Sequence, residues 1–158
     1  MSRVISADWL LPVEGPPIPD GAIAVEDGRI AAVGTRAELG ESTHYAESVI
    51  VPGFVNAHSH LEYAVYAGFG DGLGDFAEWI TLHIQRKARI GWEQYVDIAR
   101  FGAAQCLASG VTTIGDCSYS GATAVACADL GLRATVYLED RYQHGEQWWP
   151  DCSASPAC

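Results

Sequence analysis

The chain has 158 residues, a formal net charge of −11, and apolar side chains at 49% of its positions. The acidic balance, with Lys87 as the single lysine, argues against nucleic acid or an anionic membrane as a partner, because phosphate groups bind to basic surfaces. No apolar run approaches the ~18 residues that a membrane-spanning helix needs, so we expect no membrane segment.

The cysteines and the first residues bear on the cellular compartment. The five cysteines form no closely spaced pairs, and three of them fall in apolar helix or strand patterns, where a reduced thiol behaves as a small hydrophobic residue. The amino terminus lacks the basic stretch and apolar core of a secretory signal. We therefore predict a cytoplasmic protein with free thiols at Cys106, Cys117, Cys127, Cys152 and Cys158.

The first fifty or so residues carry the pattern of short β-strands. Two apolar runs, 22–25 and 30–33, flank the pair Asp27-Gly28. An Asp-Gly pair between apolar runs favours a two-residue β-hairpin, because both central residues of that turn take positive φ angles. The sequence therefore predicts a hairpin here, preceded by a proline-rich loop at 16–19.

Two histidines one residue apart end the next apolar strand. Side chains alternate between the two faces of an extended segment, so His58 and His60 point the same way while Ser59 points away. Two neutral imidazoles on one face can share a cation such as Zn, Fe, Ni or Cu. We expect Phe54 and Val55 to form a buried, dry floor behind the pair.

Helical and strand patterns alternate after the histidines. A glycine-rich loop at 68–74 leads to Asp75 and Glu78, which resemble a capping box and predict the start of a helix. The later patterns, with glycine stops after both helices, predict a helix, a strand, a helix and a strand at residues 92–109, 111–114, 121–130 and 133–138. This alternation implies an α/β fold with a parallel sheet and right-handed crossovers.

Two motifs, in this order, resemble the opening of the amidohydrolase superfamily. They are VEDGRIAAVG at 25–34 and PGFVNAHSHLE at 52–62, and the resemblance covers roughly residues 4–139. The closest branch is that of the aminohydrolases and chlorohydrolases of heterocycles. The resemblance implies a TIM-type (β/α)8 barrel with a small β-sandwich. It also implies that His58 and His60, on barrel strand 1, bind one divalent metal ion, with Zn expected first and Fe as the alternative.

The same resemblance divides the chain into three parts. Residues 1–51 would belong to the β-sandwich, residues 52–139 to the first part of the barrel, and residues 140–158 form an irregular tail that departs from the family pattern. A (β/α)8 barrel typically needs about 250 residues, so only about three of the eight units are expected here. The third metal histidine and the catalytic groups of the family lie on later strands. We therefore expect no identifiable catalytic residue, weak metal binding and no activity from this amino-terminal part alone.

Further candidates lie near the histidine pair or on neighbouring elements. Glu62 follows the pair on the same side of the chain, where it could orient a histidine or contact substrate. Asp116 and Cys117 end the second barrel strand, where barrel enzymes carry catalytic groups, but an aspartate that caps the next helix is the simpler interpretation. His83 and Trp79 are interpreted as packing residues on an amphipathic helix.

Three functions remain open. The first is metal-dependent hydrolysis of a carbon–nitrogen bond outside peptides, with a small heterocycle as the substrate that is deaminated. The second is a cyclic amidase, such as a hydantoinase or dihydroorotase; these relatives usually carry arginine at the position of Glu62, which favours the deaminase. The third is a non-catalytic remnant or interaction module. Because three strands cannot close a barrel, we also expect the isolated chain to aggregate or to form a homo-oligomer.

Overall fold

The computed structural model describes residues 2–139, and the chain divides into two compact units, Met1–Pro52 and Gly53–Cys158. The predicted irregular tail at 140–158 lies outside the described residues. Among the helices that the structure describes, none combines the length and the apolarity that a bilayer crossing requires.

The first unit is a five-stranded sheet with one short helix. In chain order its elements are β1 (Ser2–Leu10), β2 (Ile18–Pro19), β3 (Gly21–Glu26), β4 (Arg29–Thr35), α1 (Arg36–Leu39) and β5 (Thr43–Ile50). Strand β1 pairs antiparallel with β2 and β3, and β3 pairs antiparallel with β4. Strand β5 lies parallel beside β1. The strands form one sheet, and the second layer of a sandwich stays a prediction.

The hairpin predicted around Asp27-Gly28 is confirmed. Asp27 has a φ of 48° and Gly28 a φ of 75°, so both turn residues are left-handed. Glu26 and Arg29 pair directly across the turn, and the strands then run antiparallel to Gly21 and Thr35. The positive φ values match the twist of the flanking strands, which is why this dipeptide specifies the turn.

The second unit alternates strands and helices. In chain order its elements are β6 (Phe54–Ser59), a 3₁₀ helix (Leu61–Tyr63), α2 (Phe76–Lys87), α3 (Trp92–Ala108), β7 (Val111–Ser118), α4 (Ala122–Leu130) and β8 (Arg133–Leu138). The strands form a parallel sheet in the order β6-β7-β8. The predicted mixed α/β architecture is therefore confirmed.

Helix α2 begins where the capping pattern predicted. The Asp75 carboxylate accepts from the Glu78 backbone N–H at 2.9 Å, which satisfies one of the free donors of the first turn. The reciprocal bond differs from the predicted box, because the Glu78 carboxylate accepts from the Gly74 N–H at 2.8 Å instead of from Asp75. The two bonds together fix the end of the glycine-rich loop as well as the start of the helix.

Strand β7 extends four residues beyond its predicted end at Ile114. Glycine and aspartate are poor strand formers, so Gly115 and Asp116 ended the sequence pattern early. A Cβ atom at Gly115 would lie 2.7 Å from the Ala57 carbonyl oxygen, so glycine is required for β6 to approach β7 this closely. The extension carries Asp116 and Cys117 alongside the end of β6.

Helices α3 and α4 form the core of this unit with the sheet and the 3₁₀ helix. The buried apolar cluster consists of Leu61, Tyr95, Val96, Ala99, Ala103, Ile114, Ala122, Ala126, Cys127 and Leu132. Many of these side chains are small, so the backbones approach closely. At Gly102 an added Cβ would lie 2.9 Å from the Leu61 carbonyl oxygen. This contact fixes the segment that directly follows the two histidines.

The expected buried floor under the histidine pair is wrong for this chain. Phe54 is 58% exposed and Val55 is 69% exposed. Strand β6 is an edge strand of the three-stranded sheet, with β7 as its neighbour. The apolar run in β6 indicated a strand buried on both faces. Residues 2–139 do not cover Phe54 and Val55, so both side chains are exposed.

Candidate metal centre

His58 and His60 lie at the carboxyl end of β6 with their rings close together. Their ring centroids are 5.1 Å apart and the ring planes meet at 88°. Ser59, between them, turns to the other side and donates its hydroxyl to Asp116 Oδ2 at 2.7 Å. The alternation expected from an extended segment thus brings the two imidazoles together on one side.

The backbone of β7 fixes the proton on the His60 ring. His60 Nδ1 lies 2.8 Å from the Cys117 carbonyl oxygen, which can only accept a hydrogen bond. A neutral ring therefore carries its proton on Nδ1 and leaves the lone pair on Nε2, as metal-binding histidines usually do. His58 Nδ1 lies 3.9 Å from the sulfur of the same residue, Cys117.

Two charged residues that lie near His60 and Tyr63 were not predicted from the sequence. Glu139 directly follows β8, and its Oε1 lies 4.0 Å from His60 Nδ1. Lys87 Nζ lies 3.7 Å from Glu139 Oε2 and donates to Tyr63 Oη at 3.2 Å. Burial, then the charge of Glu139, raises the pKa of Tyr63. The one available signal was the position of Glu139 at the carboxyl end of a predicted parallel strand, where the neighbouring strands also end.

Glu62 is turned into the protein and is only 1% exposed. Its carboxylate accepts from the Ser118 and Ser120 hydroxyls and from the Tyr119 and Ser120 backbone N–H groups. These donors lie at the last residue of β7 and in the connection to α4, so Glu62 ties the 3₁₀ helix to that part of the chain. A role for Glu62 toward a histidine or a substrate stays a prediction.

Asp116 is also fully buried and is held by three donors. It accepts at 2.7 Å each from the Ser59 hydroxyl, the Leu61 backbone N–H and the Thr123 hydroxyl. The expectation that it caps the next helix is wrong, because Gly121 is the N-cap of α4. Asp116 instead joins β7 to the chain on both sides of His60 and to a side chain in α4.

An aromatic cluster with buried polar atoms adjoins His60. Tyr63 stacks on His60 at a centroid distance of 4.6 Å, and His83 meets Tyr63 edge-on at 4.2 Å and stacks on Trp79 at 4.9 Å. His83 is 0% exposed, and neither its ring nitrogens nor Tyr66 Oη has a hydrogen-bond partner among the described residues. Burial, with the Lys87 charge second, lowers the pKa of His83. The packing interpretation is confirmed for the buried His83, and the half-buried Trp79 stacks on it.

The donors at this edge fit part of a metal site. Within residues 2–139, no group of three or more His, Cys, Asp or Glu side chains is arranged to hold a metal ion. The pair His58 and His60 offers two imidazole donors, and the carbonyl contact leaves Nε2 of His60 free for a cation. A catalytic zinc site needs three protein ligands, so these two would supply only part of one.

Comparison with protein families gives two matches along the chain. Residues 21–41 match a bacterial imidazolonepropionase-like composite domain, and residues 49–138 match the amidohydrolase family. The second match contains β6, the histidine pair, β7 and β8.

A curated relative and two solved structures illustrate the similarity. A 5-methylthioadenosine/S-adenosylhomocysteine deaminase from Nitratidesulfovibrio vulgaris strain Hildenborough is 38% identical over 106 residues, which are 63% of this chain and 24% of that protein. Helicobacter pylori aminofutalosine deaminase aligns with a TM-score of 0.66 and 22% identity, over 86% of this chain and 35% of that one. The zinc complex of an atrazine chlorohydrolase from Arthrobacter aurescens TC1 aligns with a TM-score of 0.68 and 20% identity, over 85% and 35%.

These comparisons bear on both fold and family. The chain spans about a quarter of the length of the curated deaminase, at 24%. The structural alignments cover both units and show that the fold is shared, at identities that carry no further conclusion. The family match from residue 49 to residue 138 takes in more than half of the sequence. The chain therefore belongs to the amidohydrolase family.

Proposed function

We propose that this chain is the metal-binding, amino-terminal part of a hydrolase that removes an amino group from a small heterocycle. The observation that carries the proposal is the pair of imidazoles at the carboxyl edge of a parallel sheet, with His60 Nδ1 bound to a carbonyl and Nε2 free. Membership of the amidohydrolase family supports the same chemistry.

The finer architecture is part of this proposal. The three parallel strands β6, β7 and β8 are the first three of eight strands in a (β/α)8 barrel. Residues 1–51 are a β-sandwich segment, residues 52–139 are the barrel part, and residues 140–158 are a tail outside the family pattern. Placement of the histidine pair where β6 ends supports this assignment, because barrel enzymes place their active sites at that end of the strands.

His58 and His60 would hold one divalent ion, with Zn²⁺ expected first and Fe²⁺ as the alternative. Imidazole nitrogen suits both metals. The similar structure of an atrazine chlorohydrolase is a zinc complex. When bound, such an ion supplies a water that is acidic enough to ionise near neutral pH. The role of this chain is to present the two nitrogens on one side of β6 and to fix the His60 ring against β7.

A heterocyclic amine is the substrate class that the relatives support. The curated relatives include deaminases of 5-methylthioadenosine or S-adenosylhomocysteine and of 5'-deoxyadenosine. The cytoplasmic location and the possible homo-oligomer stay predictions.

Two alternatives define the other outcomes of the test. A cyclic amidase is disfavoured by Glu62, at the position where those relatives usually carry arginine. A non-catalytic module is favoured by one observation, the lack of a third ligand beside the histidines within the described residues.

The first test is metal binding by the chain itself. We expect the purified chain to bind about one Zn²⁺ weakly, and His58→Asn and His60→Asn each to abolish binding, because two imidazoles act together. His44→Asn, in the first unit, is the matched control and should bind like the wild type. Calorimetric titration measures the affinity. Equal binding by His58→Asn and the wild type would overturn the proposed site.

The second test is activity. The product of the whole open reading frame that contains this chain should release ammonia from 5-methylthioadenosine, guanine or a triazine when loaded with Zn²⁺. Ammonia release that is lost on His60→Asn and kept on His44→Asn supports the deaminase. Hydrolysis of a hydantoin without ammonia release points to the cyclic amidase, and the absence of both activities points to a non-catalytic module.

A further inference from the structure

Both histidines of the candidate metal centre turn the same nitrogen toward one residue of the neighbouring strand. His60 Nδ1 lies 2.8 Å from the Cys117 carbonyl oxygen. His58 Nδ1 lies 3.9 Å from the Cys117 sulfur. The register of the sheet causes this convergence, because Ser59, between the histidines, pairs with Asp116, the neighbour of Cys117.

The chemistry of these contacts assigns the proton of the His60 ring and is compatible with the same assignment for His58. A carbonyl oxygen only accepts, so the His60 contact requires the proton on Nδ1. A thiol is both a weak acceptor through its sulfur and a weak donor through its S–H; where the sulfur accepts, the Nδ1–H bond leaves the lone pair of His58 on Nε2. Metal-binding histidines are commonly oriented in this way by a partner for the ring nitrogen that does not bind the metal.

We propose that Cys117 is the positioning residue of the candidate metal centre, which it orients through two different groups. Its carbonyl fixes the proton of His60 and its thiol fixes the proton of His58, so that Nε2 is the free nitrogen of both rings. The inference rests on the proposed function and adds to it the residue that prepares the two ligands.

Other polar groups near the two histidines bond to different partners or lie farther away. Asp116 is held by three donors at 2.7 Å, and Glu62 accepts from the loop after β7. Glu139 is 4.0 Å from His60 Nδ1, beyond hydrogen-bond distance and farther than the carbonyl. Among residues 2–139, Cys117 thus lies within contact of both rings.

The structure also separates the two parts of this role. A substitution at Cys117 removes the sulfur but keeps the backbone carbonyl. Cys117→Ala should therefore alter His58 and leave His60 as it is, which gives the experiment an internal control. Cys117 is partly exposed, unlike the buried Cys127, so loss of its thiol leaves no closed cavity in the core.

The test reads the protons directly, without metal. The whole chain is labelled with ¹⁵N-histidine, and long-range ¹H–¹⁵N spectra are recorded at about pH 8, where imidazoles are ordinarily neutral. We expect both His58 and His60 to carry the proton on Nδ1 in the wild type. In Cys117→Ala the His58 proton should move toward Nε2 while His60 is unchanged. Cys117→Ser keeps an acceptor and should retain the wild-type His58 signal, and Cys127→Ala should change neither ring.

A zinc titration gives the second readout. We expect Cys117→Ala to lower the Zn²⁺ affinity about tenfold, as is typical when a partner of a metal-binding histidine is removed, and Cys117→Ser to restore most of it. A wild-type His58 with its proton on Nε2, or a Cys117→Ala variant with an unchanged His58, would overturn the inference. If Cys117→Ala fails to fold, Cys117→Val, which also lacks an acceptor, gives the same readout on the His58 proton.

The two proposals fail in different ways. A chain that binds no metal but shows the expected Nδ1 protons defeats the metal site, while Cys117 still sets the protons of the two rings. A chain that binds Zn²⁺ through His58 and His60 with equal affinity in the wild type and in Cys117→Ala defeats the inference about Cys117 alone.

Discussion

At the scale of single residues, Glu62 is a candidate site residue whose side-chain hydrogen bonds all go to neighbouring structural elements. Its carboxylate is only 1% exposed and is surrounded by donors from Ser118, Tyr119 and Ser120. The sequence places Glu62 two residues after His60 but contains no local signal for partners that lie more than fifty positions away. The position of Glu62 was therefore readable from the sequence, and its hydrogen bonds were not.

Replacing this carboxylate by an amide should destabilise the second unit. In Glu62→Gln one acceptor oxygen becomes an NH₂ group that faces other donors, so charge-assisted bonds are lost in a buried place. We expect a loss of about 2 to 3 kcal/mol in the free energy of unfolding. Urea unfolding followed by circular dichroism measures it. Glu93→Gln, on the exposed side of α3, is the control and should change stability by less than about 0.5 kcal/mol.

His83 should make stability depend on pH. Burial, and then the Lys87 charge, lowers its pKa below the ordinary value of 6.5, so the unfolded chain binds a proton more readily than the folded one. The stabilisation is complete above pH 6.5 and is lost as the pH falls from that value toward the folded pKa. His83→Phe keeps an aromatic ring but cannot be protonated. Its free energy of unfolding should therefore fall less than that of the wild type as the pH is lowered.

The measurement is a set of urea unfolding curves for both proteins between about pH 7.5 and pH 5. All other titrating groups are common to the two chains. The difference between their slopes of unfolding free energy against pH therefore reports on His83. Parallel slopes would show that the folded state accommodates the charged ring and that burial does not control this histidine.

The candidate site divides into parts that the sequence could and could not predict. The facing of His58 and His60 follows from strand periodicity, which is a local rule. Cys117 and Glu139 reach His60 because parallel strands end at one edge, and Lys87 of α2 reaches Glu139 there. Such neighbours depend on the register of the sheet, and a single sequence gives no direct signal for it.

At the scale of elements, helix boundaries were predictable because they depend on local chemistry. Asp75 and Gly110 mark the start of α2 and the end of α3 through a side-chain cap and a positive φ angle. Strand β7 was predicted too short because Gly115 breaks the apolar pattern while serving the close approach of β6. The parallel pairing of β5 with β1 joins residues about forty positions apart, so it also lies beyond local patterns.

Gly102 is the element-scale position where a small change should have a large effect. A Cβ atom there would lie 2.9 Å from the Leu61 carbonyl oxygen and 3.2 Å from the Ala64 Cβ, and the backbone cannot move aside cheaply. Valine at this position should push the 3₁₀ helix away from α3. We expect Gly102→Val to cost about 2 to 3 kcal/mol, even though glycine is itself unfavourable within a helix.

Urea unfolding measures this cost, and histidine NMR signals report whether His60 moves with the displaced segment. The matched control is Gln105→Val on the exposed side of the same helix, which introduces the same β-branched side chain without a clash. A Gly102→Val variant no less stable than Gln105→Val would show that the contact between α3 and the 3₁₀ helix is loose.

At the scale of the whole molecule, the described residues leave apolar side chains uncovered on both outer strands of the second unit. Phe54 and Val55 on β6 are 58% and 69% exposed, and Tyr137 and Leu138 on β8 are 57% and 45% exposed. The order β6-β7-β8 makes β6 and β8 the edges of this sheet. Unpaired edge strands with apolar side chains are sites for pairing with another chain.

The isolated 158-residue chain should therefore associate with itself as its concentration rises. Val55→Lys places a charge on the exposed edge strand, so it should shift the association to concentrations roughly tenfold higher. Val13→Lys, at an 80% exposed position of the first unit, adds the same charge away from this edge and should associate like the wild type. Sedimentation equilibrium at several concentrations measures the effect. A monodisperse wild-type monomer with one sharp, cooperative thermal transition would show that these edge strands do not cause self-association.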